Sequence, residues 1–182
     1  MFLAMMTPQA IARSPSAAPE QVISGNAIVT DADTITIGGR TIRLLGLDAP
    51  ETRQICIDNR GEPWQCGIAA KEAMESIIGT RQVACTVTSM DLYKRYLAWC
   101  RAEETPLNAT IVARGWALAY RKYGTELVPH EDTARQSMAG LWSGAFIAPW
   151  DWRGRNDKTT IHGAYAVPID SQDILVRRKT KK

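Results

Sequence analysis

The 182-residue sequence has no apolar run approaching 18 residues, so no segment reads as a membrane-spanning helix. It has no Cys-x-x-Cys pair and only two histidines, His130 and His162, which argues against a zinc site. It has no glycine or proline excess, with 13 and 9 residues, and no collagen-like composition. Apolar residues make up 45% and charged residues 23%, which excludes wholesale disorder. What remains is one domain of ordinary size, with room for loose ends.

The net charge of +3 is unevenly spread. Residues 1–152 carry 14 Lys/Arg against 16 Asp/Glu, whereas residues 153–182 carry 8 against 3. The excess lies at the C-terminal end, in Arg177, Arg178, Lys179, Lys181 and Lys182. Such a tail either holds polyanions or is a solvated, loosely ordered end. Four cysteines, an even number, suit two disulfides and an exported protein. Met1-Phe2-Leu3-Ala4-Met5-Met6 is apolar but short for a signal peptide, and no Lys or Arg precedes it. The expected location is secreted or periplasmic, with the cytoplasm as the alternative.

Residues 1–20 are rich in Ser, Ala and Pro and read as a leader or disordered arm. Residues 21–152 read as the folded domain and 153–182 as a basic, loosely ordered tail. Ala27-Ile28-Val29-Thr30 has strand character. Thr34-Ile35-Thr36-Ile37 and Thr41-Ile42-Arg43-Leu44-Leu45, joined through Gly38-Gly39, predict a hairpin. Ala70, Ala73, Met74, Ile77 and Ile78 share one helical face, and Gly79 is placed to end that helix. Two more strands, 83–88 and 96–100, flank a turn. A second helix is expected with Thr105 as N-cap and Pro106 as its first residue, stopping at Gly115. A third is expected over about 129–139. Trp142 and Trp150 are expected to pack the closing segment. There is no internal repeat. The pattern suggests an α+β fold, a five-stranded OB-type barrel with about three helices.

Charged residues fall where such a barrel would gather them. Arg43 lies in an otherwise apolar strand and needs an anion or a polar cavity. Asp48 and Glu51 follow it in a turn stiffened by Pro50. Asp31 and Asp33 begin the hairpin's first strand, so Asp33 and Asp48 should meet at one end. Clustered carboxylates without His or Cys favour a hard cation, Ca²⁺ or Mg²⁺. The turn Asp91-Leu92-Tyr93-Lys94-Arg95 is either an exposed charged tip or a second arginine and a tyrosine brought to the same pocket.

These motifs, in this order, resemble the staphylococcal nuclease (thermonuclease) family. The run is Asp31-Ala32-Asp33-Thr34, then Arg43-Leu44-Leu45-Gly46-Leu47-Asp48-Ala49-Pro50-Glu51-Thr52, then Asp91 to Arg95. Leu107 to Ala117 and Leu141-Trp142-Ser143 resemble its helix-and-return segment and its closing tryptophan. The resemblance spans roughly residues 24–148. It implies Ca²⁺-dependent hydrolysis of DNA and RNA phosphodiesters by a monomer, leaving a 3′-phosphate and a 5′-hydroxyl. It implies Asp33, Asp48 and the Ala49 carbonyl as calcium ligands, Glu51 as general base, and Arg43 and Arg95 as phosphate-binding arginines. It implies Tyr93 as a substrate contact, with Tyr120 and Tyr123 as an aromatic platform; core packing is the alternative for Tyr120. A non-catalytic nucleic-acid- or protein-binding domain on the same fold is the competing reading.

The sequence also departs from the family. Ala32 replaces a common glycine, which predicts strain if that position needs positive φ. Leu92 stands where a lysine can lie near the terminal phosphate, which predicts a weaker grip. Cys56 and Cys66 bracket an insertion after Thr52 and are expected to form a disulfide across it. Cys85 and Cys100 lie on the strands flanking the Asp91–Arg95 turn and are either a second disulfide or buried thiols.

Overall fold

The computed structural model describes residues 21–168 and 172–176. The expected leader, 1–20, and the basic cluster at 177–182 lie outside the described residues. Strands β1 (Val22–Gly25), β2 (Ala27–Asp31), β3 (Thr34–Ile37), β4 (Arg40–Leu44), β5 (Leu47–Asp48), β6 (Cys56–Ile57) and β7 (Pro63–Trp64) precede helix α1 (Cys66–Ile78). Then come β8 (Val83–Met90), β9 (Tyr96–Ala102), β10 (Thr105–Pro106), α2 (Leu107–Ala113), β11 (Leu118–Ala119) and α3 (Val128–Gln136). A 3₁₀ turn at Gly140–Ser143 leads into β12 (Phe146–Ile147), α4 (Pro149–Trp152), β13 (Ile161–His162) and α5 (Asp173–Val176). The fold is α+β.

The main sheet runs β1-β8-β9-β4-β3-β2, with β10 added to β9. No pairing among the described residues closes this path into a barrel. The expected hairpin is β3 and β4, with Thr34 opposite Arg43 and Ile37 opposite Arg40. Gly38 and Gly39 have φ of 54° and 76°, the double left-handed turn whose twist suits paired strands. β4 then runs parallel to β9, Arg43 opposite Leu97, so it lies inside the sheet with a neighbour on each side.

The largest core lies between this sheet and α1 and α2, and includes Ile35, Ile42, Leu44, Met74, Ile77, Leu107 and Ile111. Burying each such side chain contributes roughly 1.5–3 kcal/mol. The buried stripe of α1, Cys66, Gly67, Ala70, Met74, Ile77 and Ile78, follows the helical period, and Gly79 at φ 58° ends it by donating its N–H to Glu75. α2 begins later than the sequence suggests. Pro106 is the N-cap rather than the first helical residue, because Thr105 and Pro106 pair with Ala102 and Arg101 as a strand. Tertiary pairing outweighs the local Thr-Pro signal here.

A second cluster centres on Cys56, Cys66, Leu118, Trp142 and Phe146, and a third on Ile57, Ile147, Trp152, Leu175 and Val176. Residues beyond 152 thus contribute to the body of the protein: β13 pairs with β12, and Leu175 and Val176 are buried. Cys56–Cys66 and Cys85–Cys100 are both disulfides. No helix among the described residues is long and apolar enough to cross a membrane.

Candidate active site

Strand pairing assembles the first half of the site. The N–H of Leu44 donates to the Asp33 carbonyl at 2.8 Å, bringing the turn before β3 beside the exit of β4. Gly46, at φ 82°, swings the chain into β5, where pairing with Leu118 holds Asp48 in place. Asp33 Oδ2 accepts the Ala49 N–H at 3.1 Å and Arg43 Nη1 at 2.9 Å. The Thr34 hydroxyl donates to Asp33 Oδ1 at 2.7 Å. Arg43 Nη2 donates to Asp48 Oδ1, so one guanidinium bridges two buried carboxylates. Ala32 is fully buried, and the strain expected of it is absent because it is not among the positive-φ residues.

This cluster is short of positive charge. Burial works against the Arg43 charge, but Asp33 and Asp48 outweigh it and hold the guanidinium pKa above its ordinary value. Burial first, then Asp33, pushes the Asp48 carboxyl up to about 6, although Arg43 and Arg153 pull the other way. Burial beside a second carboxylate leaves Asp48 hard to ionise even with Arg43 bonded to it and Arg153 Nη2 at 3.9 Å.

Glu51 sits on the rim, positioned by its backbone. Its carbonyl accepts the Gln54 N–H at 2.7 Å. The fully buried Gln54 side chain is anchored in turn on the Ile147 carbonyl at 2.7 Å. α1 presses on the same peptide: a Cβ added to Gly67 would lie 1.8 Å from the Glu51 carbonyl oxygen. The Thr52 hydroxyl donates to Asp31 Oδ1. The Glu51 carboxylate is engaged by Arg153, Nε to Oε1 at 2.7 Å and Nη2 to Oε1 at 2.5 Å. Burial opposes the Arg153 charge, but Glu51 and Asp48 hold its pKa above its ordinary value.

The hairpin tip between β8 and β9 supplies the rest. Asp91 Oδ1 accepts the N–H groups of Tyr93 at 2.9 Å and Arg95 at 3.0 Å. Asp91 Oδ2 takes Arg95 Nε at 2.8 Å and Nη2 at 2.7 Å. Desolvation opposes the Asp91 charge, but the Arg95 N–H and guanidinium outweigh it and hold the carboxyl below its usual range. Arg95 is therefore oriented, with Tyr93 lying 5.5 Å from its guanidinium carbon. Tyr93 is itself 82% exposed.

One cavity of about 610 Å³ is lined by Asp33, Arg43, Asp48, Ala49, Glu51 and Arg95. Tyr93, Tyr120 and Tyr123 are also in its wall, as are Asp31 and Arg153. Every site residue expected from the sequence, apart from the cysteines, thus borders a single space. Tyr120 is neither core nor bare surface: its ring contacts Tyr123 at 5.3 Å and stacks on Trp150 at 5.4 Å. Leu92 is fully exposed at the tip and does not line the cavity.

The family model described as staphylococcal nuclease homologue matches residues 41–144, more than half of the chain. The chain belongs to the staphylococcal nuclease family. It is 31% identical over 136 residues to the succinoglycan biosynthesis protein ExoI of Rhizobium meliloti, covering 73% of this chain and 71% of that protein. It is 33% identical over 135 residues to an uncharacterized endonuclease of Escherichia coli O157:H7, with coverage of 70% and 82%. It is 30% identical over 150 residues to a micrococcal nuclease of Shigella flexneri, with coverage of 72% and 80%.

The donors present fit the hard cation that the staphylococcal nuclease resemblance implies. They are oxygen atoms only, and the Asp33 and Asp48 side chains and Ala49 are buried. No group of three His, Cys, Asp or Glu among the described residues is arranged to hold a metal ion. A bound cation would therefore need the Ala49 carbonyl or water beside the two aspartates. Sequence reasoning missed Arg153 and Gln54. Arg153 follows α4, beyond the segment matching the family, and its only local cue is its charge. Gln54 gives no sequence signal, because a buried glutamine is recognised by its partners.

Proposed function

We propose that the protein hydrolyses phosphodiester bonds of DNA and RNA with Ca²⁺ as cofactor, on a barrel of the OB type. The observation that carries the reading is the single cavity bordered by three aspartates, a glutamate, three arginines and three tyrosines. Asp33, Asp48 and the Ala49 carbonyl would hold the cation. When bound, Ca²⁺ supplies positive charge against the phosphoryl oxygens. Arg43 and Arg95 donate to the non-bridging oxygens and stabilise the extra charge of the five-coordinate transition state. Glu51 orients a water and takes its proton as the oxygen attacks phosphorus. The 5′-oxygen leaves with the bonding electron pair, takes up a proton from solvent, and the phosphate stays on the 3′ side. Tyr93, Tyr120 and Tyr123 contact the sugar and base.

Arg153 gives this cycle a starting state. It neutralises Glu51 before substrate arrives, and a phosphate entering the cavity competes for the same guanidinium. The two disulfides support an extracytoplasmic location. One feature favours the second reading, a non-catalytic binding domain. Arg43 and Arg153 between them already engage Asp33, Asp48 and Glu51, the arrangement of a structural ion-pair network. The test is incubation of the purified protein with single-stranded DNA and with RNA, in Ca²⁺ or in chelator. Cleavage that needs Ca²⁺ supports hydrolysis. Binding without cleavage in either condition supports the second reading.

A further inference from the structure

A second cavity, of about 490 Å³, opens next to the first. Arg121, Arg135, Trp142, Trp150 and His162 are in its wall. Trp150 joins the two spaces. Its ring stacks on Tyr120 at 5.4 Å with 28° between planes, and Tyr120 contacts Tyr123 at 5.3 Å. Both tyrosines border the first cavity. A row of three rings therefore leads from one cavity to the other.

The second cavity also carries positive charge. The Arg135 guanidinium makes no ion pair or hydrogen bond among the described residues and lies 5.8 Å from the Trp142 ring centroid. Arg121 is held through Nη1 at 2.9 Å by Glu131, which is also in the wall, so Arg135 supplies the cavity's uncompensated charge. Trp150 and His162 lie outside residues 41–144, so this cavity combines the family segment with chain beyond it.

Flat rings leading to guanidinium groups suit single-stranded nucleic acid, in which bases stack and phosphates pair. An acidic peptide would use the cations but leave the ring row idle. We infer that the second cavity is a subsite for the nucleotides flanking the cleaved phosphate, reached along Tyr123, Tyr120 and Trp150. The inference rests on the nuclease reading for its substrate class. It goes beyond that reading in assigning a second site and its residues.

Binding can be measured apart from cleavage. Fluorescein-labelled oligothymidylates of about two to about ten nucleotides are titrated in chelator and followed by anisotropy. Wild-type affinity is expected to rise by roughly tenfold or more as the oligomer grows long enough to reach the second cavity. Arg135→Ala is expected to remove most of that gain, leave the shortest oligomer unaffected, and flatten the salt dependence by about 0.7 in slope, the share of one phosphate on a single strand. Trp150→Leu should also remove the gain, and Trp150→Phe should restore it. Arg135 is exposed near the end of α3, so its replacement spares the core.

A wild-type affinity that does not change with length would overturn the inference. So would Arg135→Ala and Trp150→Leu proteins that keep the full gain, or that weaken the shortest and longest oligomers by one factor. An acidic peptide that binds and is lost in Arg135→Ala, with no length effect for the oligomers, would assign the cavity to a protein partner instead. The nuclease reading fails on a different result: length-dependent binding that both variants reduce, with no cleavage in Ca²⁺, would leave the subsite standing and remove the hydrolysis.

Discussion

Replacing Arg43 by Met keeps most of the side chain's apolar bulk and removes its charge, isolating the part the guanidinium plays. The Asp33 and Asp48 side chains it bridges are only 6% and 3% exposed. Without it Asp33 loses its ion pair, and Asp48 keeps only the longer contact of 3.9 Å to Arg153. Breaking a buried ion pair from one side costs about 3–5 kcal/mol, because the remaining charge is left desolvated. A urea slope of about 1–3 kcal/mol per molar then lowers the unfolding midpoint by more than about 1 M at pH 7. The loss should shrink toward pH 5. Asp48 titrates at about 6 even with Arg43 present, so its folded-state pKa lies above the unfolded value and rises further in the variant. A carboxyl of that kind favours folding below its folded pKa and opposes it above, and protonation leaves a single charge. Calcium should stabilise Arg43→Met more than wild type, since a divalent cation meets the same deficit. Urea unfolding followed by tryptophan fluorescence, with and without Ca²⁺, reads all three effects. A loss below about 1 kcal/mol at pH 7 would show that the two aspartates are effectively solvated, and the charge argument for the site would fall.

The other expectations concern the scaffold around the site. Gly67→Ala should lower kcat by an order of magnitude or more without touching a catalytic side chain, because the new methyl must displace the Glu51 carbonyl; kcat within twofold of wild type would show that Glu51 is not held by this contact. Replacing Cys85 and Cys100 together by Ala should cost about 3 kcal/mol in urea unfolding, the loop-closure term for their 15-residue separation. An unchanged midpoint would mean the bridge contributes nothing. His162 should make stability fall as pH drops below about 6.5. Burial, with some help from Arg135 and against Asp151, lowers its folded-state pKa, so the unfolded chain takes up the proton first. His162→Phe should flatten that acid limb in a thermal-shift series, and an unaltered limb would assign it elsewhere.

Much of the site was legible because its logic is short-range. Gly38-Gly39 between alternating runs specifies a hairpin, and the hairpin alone places Asp33 beside the residues after Arg43. The Asp91-Leu92-Tyr93-Lys94-Arg95 turn organises itself through the Asp91 carboxylate, but the residues alone left it open between an exposed tip and a pocket wall; the family resemblance put Arg95 in the site, and pairing of β9 with β4 carries it there. Arg153 could not be placed by either route. Its approach to Glu51 depends on β12 and α4 being carried there by burial of Ile147 and Trp152, which residues 153–182 do not announce. The start of α2 was misplaced for a related reason, since pairing of Thr105 and Pro106 with β9 is a tertiary fact. Closure of the sheet into a barrel rests on the family likeness, and the strand pairings stop short of it.

The most direct measurement is single-turnover cleavage of a short single-stranded oligonucleotide by wild type and by Glu51→Gln at saturating protein and Ca²⁺. Gln keeps the shape and removes the proton acceptor. The rate should fall by about 10²–10⁴-fold with oligonucleotide affinity within a few-fold of wild type. A Glu51→Gln protein that cleaves within tenfold of the wild-type rate would mean that the carboxylate sharing the cavity with Arg43 and Arg95 is not the base, and that this cavity does not perform the chemistry assigned to it.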